Sequence, residues 1–123
     1  MKLLDFALHE FVILTTYKRD KTPVPTVVWI AQNGDHLVVT TNNNAGKVKR
    51  IRNDSDVTLC GTNRNGTEKL TKNYEAKGYE VIDEDGKLSG LNAMRFKYGA
   101  LGKTMTKGPI ENRSIIKITE LIK

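Results

Sequence analysis

Residues 11–41 read FVILTTYKRDKTPVPTVVWIAQNGDHLVVTT, and they carry the strongest evidence for the fold class. Three runs rich in β-branched and aromatic residues, at residues 11–17, 24–31 and 36–41, are separated by the turn-forming sequences RDKTP and QNGD. Such runs between clusters of Gly, Pro, Asn and Asp predict β-strands joined by tight turns. We therefore expect three consecutive strands that form a meander of hairpins.

The rest of the chain adds strands and short helices to this meander. Strand-like apolar runs occur at residues 57–62, 70–82 and 114–122, and helical spacing of apolar residues occurs at residues 2–10, 42–52 and 88–98. The strands are joined mainly by tight turns, which favours an antiparallel barrel over a parallel sheet. Closing a barrel also removes exposed strand edges.

Length and composition predict one domain over residues 1–123. The chain is 38% apolar and 28% charged, and its apolar residues are clustered densely enough to build one core. No apolar run approaches the roughly 18 to 20 residues that span a bilayer, and the charged N-terminus does not read as a signal peptide. We expect a soluble, cytoplasmic protein with no membrane partner.

The charge balance and the absence of certain motifs reduce the number of functions that the sequence allows. Twenty basic against fourteen acidic side chains leave a net charge of +6, which attracts polyanions such as nucleic acid, anionic lipid or a phosphorylated small molecule. One cysteine, Cys60, and two distant histidines, His9 and His36, form no recognisable metal pattern. No nucleophile motif is present, so we assign no catalytic side chain and expect a bound cofactor to carry any reaction.

Residues 40–52, TTNNNAGKVKRIR, are the most informative basic segment. A helix that begins near Ala45 would point its free N–H groups toward the end of the third strand, with Lys47 and Arg50 three residues apart on one face. This arrangement predicts a phosphate cradle, and a solvated basic helix face is the alternative. Trp29, the only tryptophan, is either a core residue or a wall for a planar ring.

The order of these motifs resembles the pyridoxamine 5′-phosphate oxidase-like split-barrel superfamily, and especially its branch of deazaflavin (coenzyme F420)-dependent oxidoreductases. The resemblance is strongest over residues 11–66. It rests on L-T-T at residues 14–16, P-V-x-x-x-V-W at 23–29, G-D-x-L at 34–37, T-T at 40–41 and G-K-V-K-R-I-R-N at 46–53. A K-Y-G element at residues 97–99 matches the branch more weakly.

The resemblance implies a mainly β fold, a six-stranded antiparallel split β-barrel (FMN-binding split barrel) with short peripheral helices. It also implies a homodimer with two sites for coenzyme F420 or FMN along the interface. In that site the strand segment lines the cofactor ring, the two threonines bond near the ring and ribityl chain, and the helix holds the phosphate. The implied cofactor-binding residues are Pro25, Thr26, Val27, Val28, Trp29, Thr40, Thr41, Gly46, Lys47 and Arg50.

The leading hypothesis is therefore a small oxidoreductase that transfers hydride or electrons to an unsaturated organic substrate. Two alternatives stay open. A basic nucleic-acid-binding barrel would use the same helix on backbone phosphates, although only 7% of residues are aromatic and those of the meander lie in apolar runs. A non-catalytic cofactor carrier would need the same pocket as an enzyme.

Overall fold

The computed structural model describes residues 2–42, 46–105 and 113–121 of the chain. A short 3₁₀ helix at Leu3–Leu8 precedes the first strand, and two α-helices follow the fourth and sixth strands: α1 at Gly46–Asn53 and α2 at Glu84–Met105. The strands are β1 Phe11–Tyr17, β2 Pro23–Trp29, β3 Ala31–Asn33, β4 His36–Asn42, β5 Asp56–Thr62, β6 Tyr74–Val81 and β7 Arg113–Thr119.

All seven strands belong to one antiparallel sheet in the order β2-β1-β5-β6-β7-β4-β3. The two edge strands of this order, β2 and β3, are consecutive in the chain and are joined through Ile30 alone. The sheet must therefore curl until its edges meet at Ile30, while no ladder pairs β2 with β3 or β4 in the described ranges. This confirms the predicted antiparallel split barrel.

Two predictions about the first strands were wrong. The strand predicted at residues 24–31 is interrupted at Ile30, so the barrel has seven strands rather than six. The meander is not formed either, because β2 pairs with β1, whereas β4 pairs with β3 and β7. Ile30 bonds through its backbone to the side chain of Tyr98 on α2 instead of continuing a ladder.

The apolar run around Ile30 is buried on both of its faces. Val28 and Ile30 belong to the core inside the barrel, while Ala31 packs outside it against α2, where Trp29 and Tyr98 also lie. A strand buried on both faces is apolar at every position and so loses its alternation. The sequence therefore read as one strand where the structure has a corner.

The helix α2 begins earlier than the predicted residues 88–98. Asp83 accepts a hydrogen bond from the Gly86 N–H at 2.8 Å, so this acid caps the helix rather than merely solvating a turn. Gly90 lies against Ile115, and a Cβ there would stand 2.8 Å from its side chain. The helix kinks at Gly99, whose φ is +61°.

The other boundaries follow the predictions to within a few residues. The N-terminal helix is a shorter 3₁₀ helix, and the strand predicted at residues 70–82 loses both ends, where Leu70 and Ile82 are exposed. The predicted helix start near Ala45 lies outside the described residues, as does residue 122, the predicted end of the last strand.

The main core fills the barrel and is entirely aliphatic and aromatic except for threonines at its border. Its largest fully buried side chains include Phe6, Leu14, Ile30, Leu37, Leu59, Ile116 and Ile118. A smaller cluster of Val38, Leu91, Met94 and Ile115 attaches α2 to the outside of β4 and β7. Neither α-helix, as far as it is described, is long and apolar enough to cross a membrane.

Candidate functional site

A cavity of about 310 Å³ opens at the split of the barrel, where β2, β4 and α1 approach one another. Its walls come from β1, β2, β4, β7, α1 and the turn after β5. The lining residues are Phe11, Val27, Val28, Trp29, Thr40, Lys47, Arg64 and Arg113. The structure thus brings together five of the ten site residues predicted from the sequence.

One wall of this cavity is apolar and rigid. The Trp29 ring stacks on Tyr98 with their centroids 4.3 Å apart and 12° between the planes. Phe11 meets Trp29 edge-on at 6.4 Å, and Phe11 and Trp29 are direct partners in the β1–β2 ladder. Aromatic neighbours in these geometries hold a ring in place. Trp29 is therefore both a packing residue and part of a flat surface.

The other walls carry three cations. Lys47 is half-buried. Its pKa is lowered mainly by this burial and, to a smaller extent, by the nearby positive charge of Arg50. Arg113 donates from Nη2 to Thr40 Oγ1 at 3.3 Å, and burial lowers the pKa of its guanidinium as well. Arg64 lies over the Phe11 ring, 5.7 Å from its centroid. Among the residues that the structure describes, no acidic side chain lines the cavity.

Arg50, Gly46 and Thr41 do not line this cavity. Arg50 donates from Nε to Thr16 Oγ1 at 2.6 Å, and its guanidinium lies against Gly46 at the start of α1. Thr41 is buried on the face of β4 opposite to Thr40. The predicted pair of Lys47 and Arg50 is thus close enough to interact, but only Lys47 reaches the cavity.

Pro25 and Thr26 lie in a second depression, an outer groove of about 690 Å³ on the outside of β2, β1 and β5. Val27 lines both the groove and the cavity. Apolar lining residues of the groove include Ile13, Pro23, Pro25, Val27 and the buried Cys60. The predicted segment of β2 therefore borders two adjoining spaces.

A cluster behind the apolar wall, Lys97 and Tyr98, holds the corner at Ile30. Lys97 Nζ donates to the carbonyl oxygens of His9 and Ile30, each at 2.6 Å. The Ile30 N–H donates to Tyr98 Oη at 3.1 Å, and the Tyr98 hydroxyl lies 2.6 Å from the Glu10 carbonyl oxygen. Burial lowers the pKa of Lys97 to about 8 and raises that of Tyr98 to about 12.

Sequence reasoning missed several of these residues. Arg64 follows β5 and Arg113 begins β7, and neither lies near the basic helix in sequence. The K-Y-G element was noted, but nothing local connects Tyr98 to Ile30, 68 residues away. The only local signal for Arg64 is the turn-forming sequence NRNG at residues 63–66, where the structure has a turn with Gly66 at φ +72°.

The cavity suits a ligand with a flat apolar part and an anionic part. A planar ring can lie against Val27 and Trp29, while Lys47, Arg113 and the Thr40 hydroxyl offer donors to phosphate oxygens. A phosphorylated flavin-type cofactor has both parts, so these residues fit it. The cavity is at the small end of ligand sites, which run from about 300 to 1,000 Å³.

Comparison with known proteins agrees with the fold. Residues 2–120 match the family model described as "Pyridoxamine 5'-phosphate oxidase". No curated protein matches the sequence. Similar solved structures include a conserved hypothetical protein of Mycobacterium tuberculosis, with TM-score 0.75, 15% identity, and coverage of 99% of this chain and 82% of that one.

Two further solved structures carry functional names. The heme storage protein HutZ of Vibrio cholerae is similar with TM-score 0.74 and 13% identity, covering 100% of this chain and 93% of that chain. A protein named F420 reductase is similar with TM-score 0.64 and 21% identity, covering 99% of this chain and 95% of that chain. At these identities the likeness extends to the fold alone.

Proposed function

The chain belongs to the pyridoxamine 5′-phosphate oxidase family, and we propose that it is a small cytoplasmic oxidoreductase that binds coenzyme F420 or FMN and reduces an unsaturated organic substrate. The observation that carries this proposal is the cavity at the split of the barrel. It combines an apolar wall that ends at Trp29 with the cations Lys47 and Arg113. When bound, such a cofactor supplies hydride or electrons, and the protein supplies position and charge.

Each part of the cavity has a distinct role in this proposal. Val27 and Trp29 exclude water from one side of the ring, and Tyr98 keeps the indole from rotating. Lys47 and Arg113 neutralise the phosphate, with Thr40 as a further donor. Arg50, anchored on Thr16, adds positive charge at the start of α1.

The donor set favours a flavin-type cofactor over haem in this cavity. Haem iron is held by His, Cys, Met or Tyr side chains. None of these residue types is among the described residues that line the cavity. The heme storage protein reported above shares the fold with this chain, whereas the described lining of this cavity offers donors for phosphate.

We further propose that the protein is a homodimer whose second copy covers the outer groove. The cavity alone is small for a tricyclic cofactor, and Val27 borders both the cavity and the groove. A partner seated in the groove would cover Ile13 and Pro25 and would extend the cavity wall at Val27. A monodisperse monomer in sedimentation at micromolar concentration would contradict this part.

Cofactor titration tests the proposal. Purified protein should bind coenzyme F420 or FMN with micromolar or better affinity and much more tightly than riboflavin, which lacks the phosphate. Trp29, as the only tryptophan, should report binding by a quench or shift of its fluorescence. Lys47→Ala should weaken binding by roughly 1 to 3 kcal/mol. Arg50→Ala should have a smaller effect, because Arg50 donates to Thr16 and does not line the cavity.

Lys49→Ala is the matched control, because this exposed lysine of α1 carries the same charge but lies outside the cavity. It should bind the cofactor as the wild type does. Equal affinity for FMN and riboflavin, no binding of coenzyme F420 and no Trp29 response would contradict the proposal. A nucleic-acid-binding barrel would then be the better hypothesis.

A further inference from the structure

We propose that Arg64 is a second anion-binding group of the cavity, which recognises a carboxylate on the acceptor substrate. The substrate of the proposed reaction would then be a small unsaturated carboxylic acid. This inference rests on the proposed function for its meaning, but the binding of the acid is tested separately.

The backbone around Arg64 is held firmly. The turn is closed by the Gly66 N–H, which donates to the Asn63 carbonyl oxygen at 3.2 Å. The Asn63 side chain accepts from the N–H groups of Thr67 and Glu68 at 3.0 and 3.3 Å. A turn tied in this way keeps the Arg64 side chain at the mouth of the cavity rather than leaving it on a loose loop.

The Arg64 side chain also has a defined position beside the apolar wall of the cavity. Its guanidinium lies over the Phe11 ring, and Phe11 pairs with Trp29 on one side and with Thr62 of β5 on the other. Arg64 therefore enters from the β1–β5 side. Lys47 and Arg113 enter from α1 and β7, which lie on the side of β4. The cations flank the cavity from two directions.

No acidic side chain of the described residues pairs with the positive charge of Arg64. In the described part of the chain its guanidinium makes no ion pair, and no acidic residue lines the cavity. An exposed guanidinium at a cavity mouth attracts anions from solvent, and its planar fork matches the two oxygens of a carboxylate. One cation suits a singly charged group, whereas the two cations opposite suit a phosphate.

The test measures binding of two matched probes to the FMN-loaded protein by isothermal titration. The probes are trans-2-hexenoate and its neutral amide, trans-2-hexenamide. Wild-type protein should bind the acid roughly tenfold more tightly than the amide, the size of one exposed charge-assisted hydrogen bond. Arg64→Gln should remove this preference by weakening the acid about tenfold and leaving the amide unchanged.

Lys72→Gln is the matched control, since Lys72 is an exposed cation of the same segment that lines neither the outer groove nor the cavity. It should retain the preference for the acid. An equal preference in wild type and Arg64→Gln, or no binding of either probe, would overturn the inference. If the proposed function fails, the wild-type protein will not bind FMN. In that case the two probes are titrated into the cofactor-free protein.

Discussion

Lys47 and Lys97 are both half-buried lysines whose pKa is lowered mainly by burial, yet their surroundings are opposite. Lys97 Nζ bonds to two backbone carbonyl oxygens at 2.6 Å. Lys47 has no hydrogen-bond partner among the described residues and borders a cavity beside two arginines. The ammonium group of Lys97 has hydrogen-bond partners in the fold, and that of Lys47 has none in the part of the chain that the structure describes.

The difference distinguishes a structural cation, Lys97, from the cation that we propose binds a phosphate, Lys47. Burying a charge is unfavourable unless fixed polar groups replace its water. Around Lys97 the fold supplies those groups itself, and the result is a closed corner at Ile30. Around Lys47 the described residues supply no such group, and under our proposal the phosphate of the cofactor supplies it.

The largest expected effect concerns the corner itself. Tyr98→Ala should lower the free energy of unfolding by about 3 kcal/mol, because it removes the ring stacked on Trp29 and leaves a void. Urea unfolding followed by Trp29 fluorescence measures this. Tyr98→Phe keeps the ring and loses only the hydroxyl, so it should lower the free energy by about 1 kcal/mol. Equal losses in the two variants would mean that the hydrogen bonds, and not the stacking, hold the corner.

A paired substitution sharpens the comparison between the two lysines. Lys97→Met should lower the free energy of unfolding by about 1 kcal/mol, since it removes the donor to the His9 and Ile30 carbonyl oxygens. Lys47→Met should change it by no more than about 0.5 kcal/mol, because no such bond is lost. Urea unfolding of both variants at pH 7 measures the difference. Similar destabilisation by the two variants would mean that Lys97 contributes no more to the fold than Lys47 does.

The smallest expected effect is a pH dependence of stability, because Lys97 is only half-buried and solvent screening reduces the effect of its lowered pKa. Because the pKa of Lys97 falls to about 8 in the folded protein, the unfolded chain binds more protons above that pH, and stability should rise from pH 8 toward pH 10. Tyr98, with its pKa raised to about 12, acts in the opposite direction above pH 10. Thermal unfolding between pH 7 and 10 should show a smaller rise for Lys97→Met than for wild type. Identical slopes would contradict this assignment.

Most elements of the fold were predictable because their signals are local. The strand β1 was predicted with the bounds that the structure shows, and β4 and α1 to within a few residues. Their apolar periodicity and flanking turn residues are short-range properties. The same locality placed Lys47 beside the end of β4, where it lines the cavity with Thr40.

Long-range pairing was not predictable in this way. Residues 27–31 are apolar throughout, so nothing in the sequence marks Ile30 as the point where β2 turns into β3. The corner depends on Lys97 and Tyr98, 67 and 68 residues away along the chain. Contacts of this kind depend on how the elements pack, and a single sequence carries no periodic signal for them.

By itself, the sequence determined a mainly β chain with short helices, the basic start of α1 and the apolar segment of β2, since each follows from residues close together in the chain. Only the tertiary structure decided that Arg64 and Arg113 line the same cavity as Lys47. It also decided that Arg50 donates a hydrogen bond to Thr16 instead. The physical reason is strand register. Pairing β1 with both β2 and β5 brings Phe11, Trp29 and the turn of Arg64 together, and that pairing is set by burial across the whole barrel.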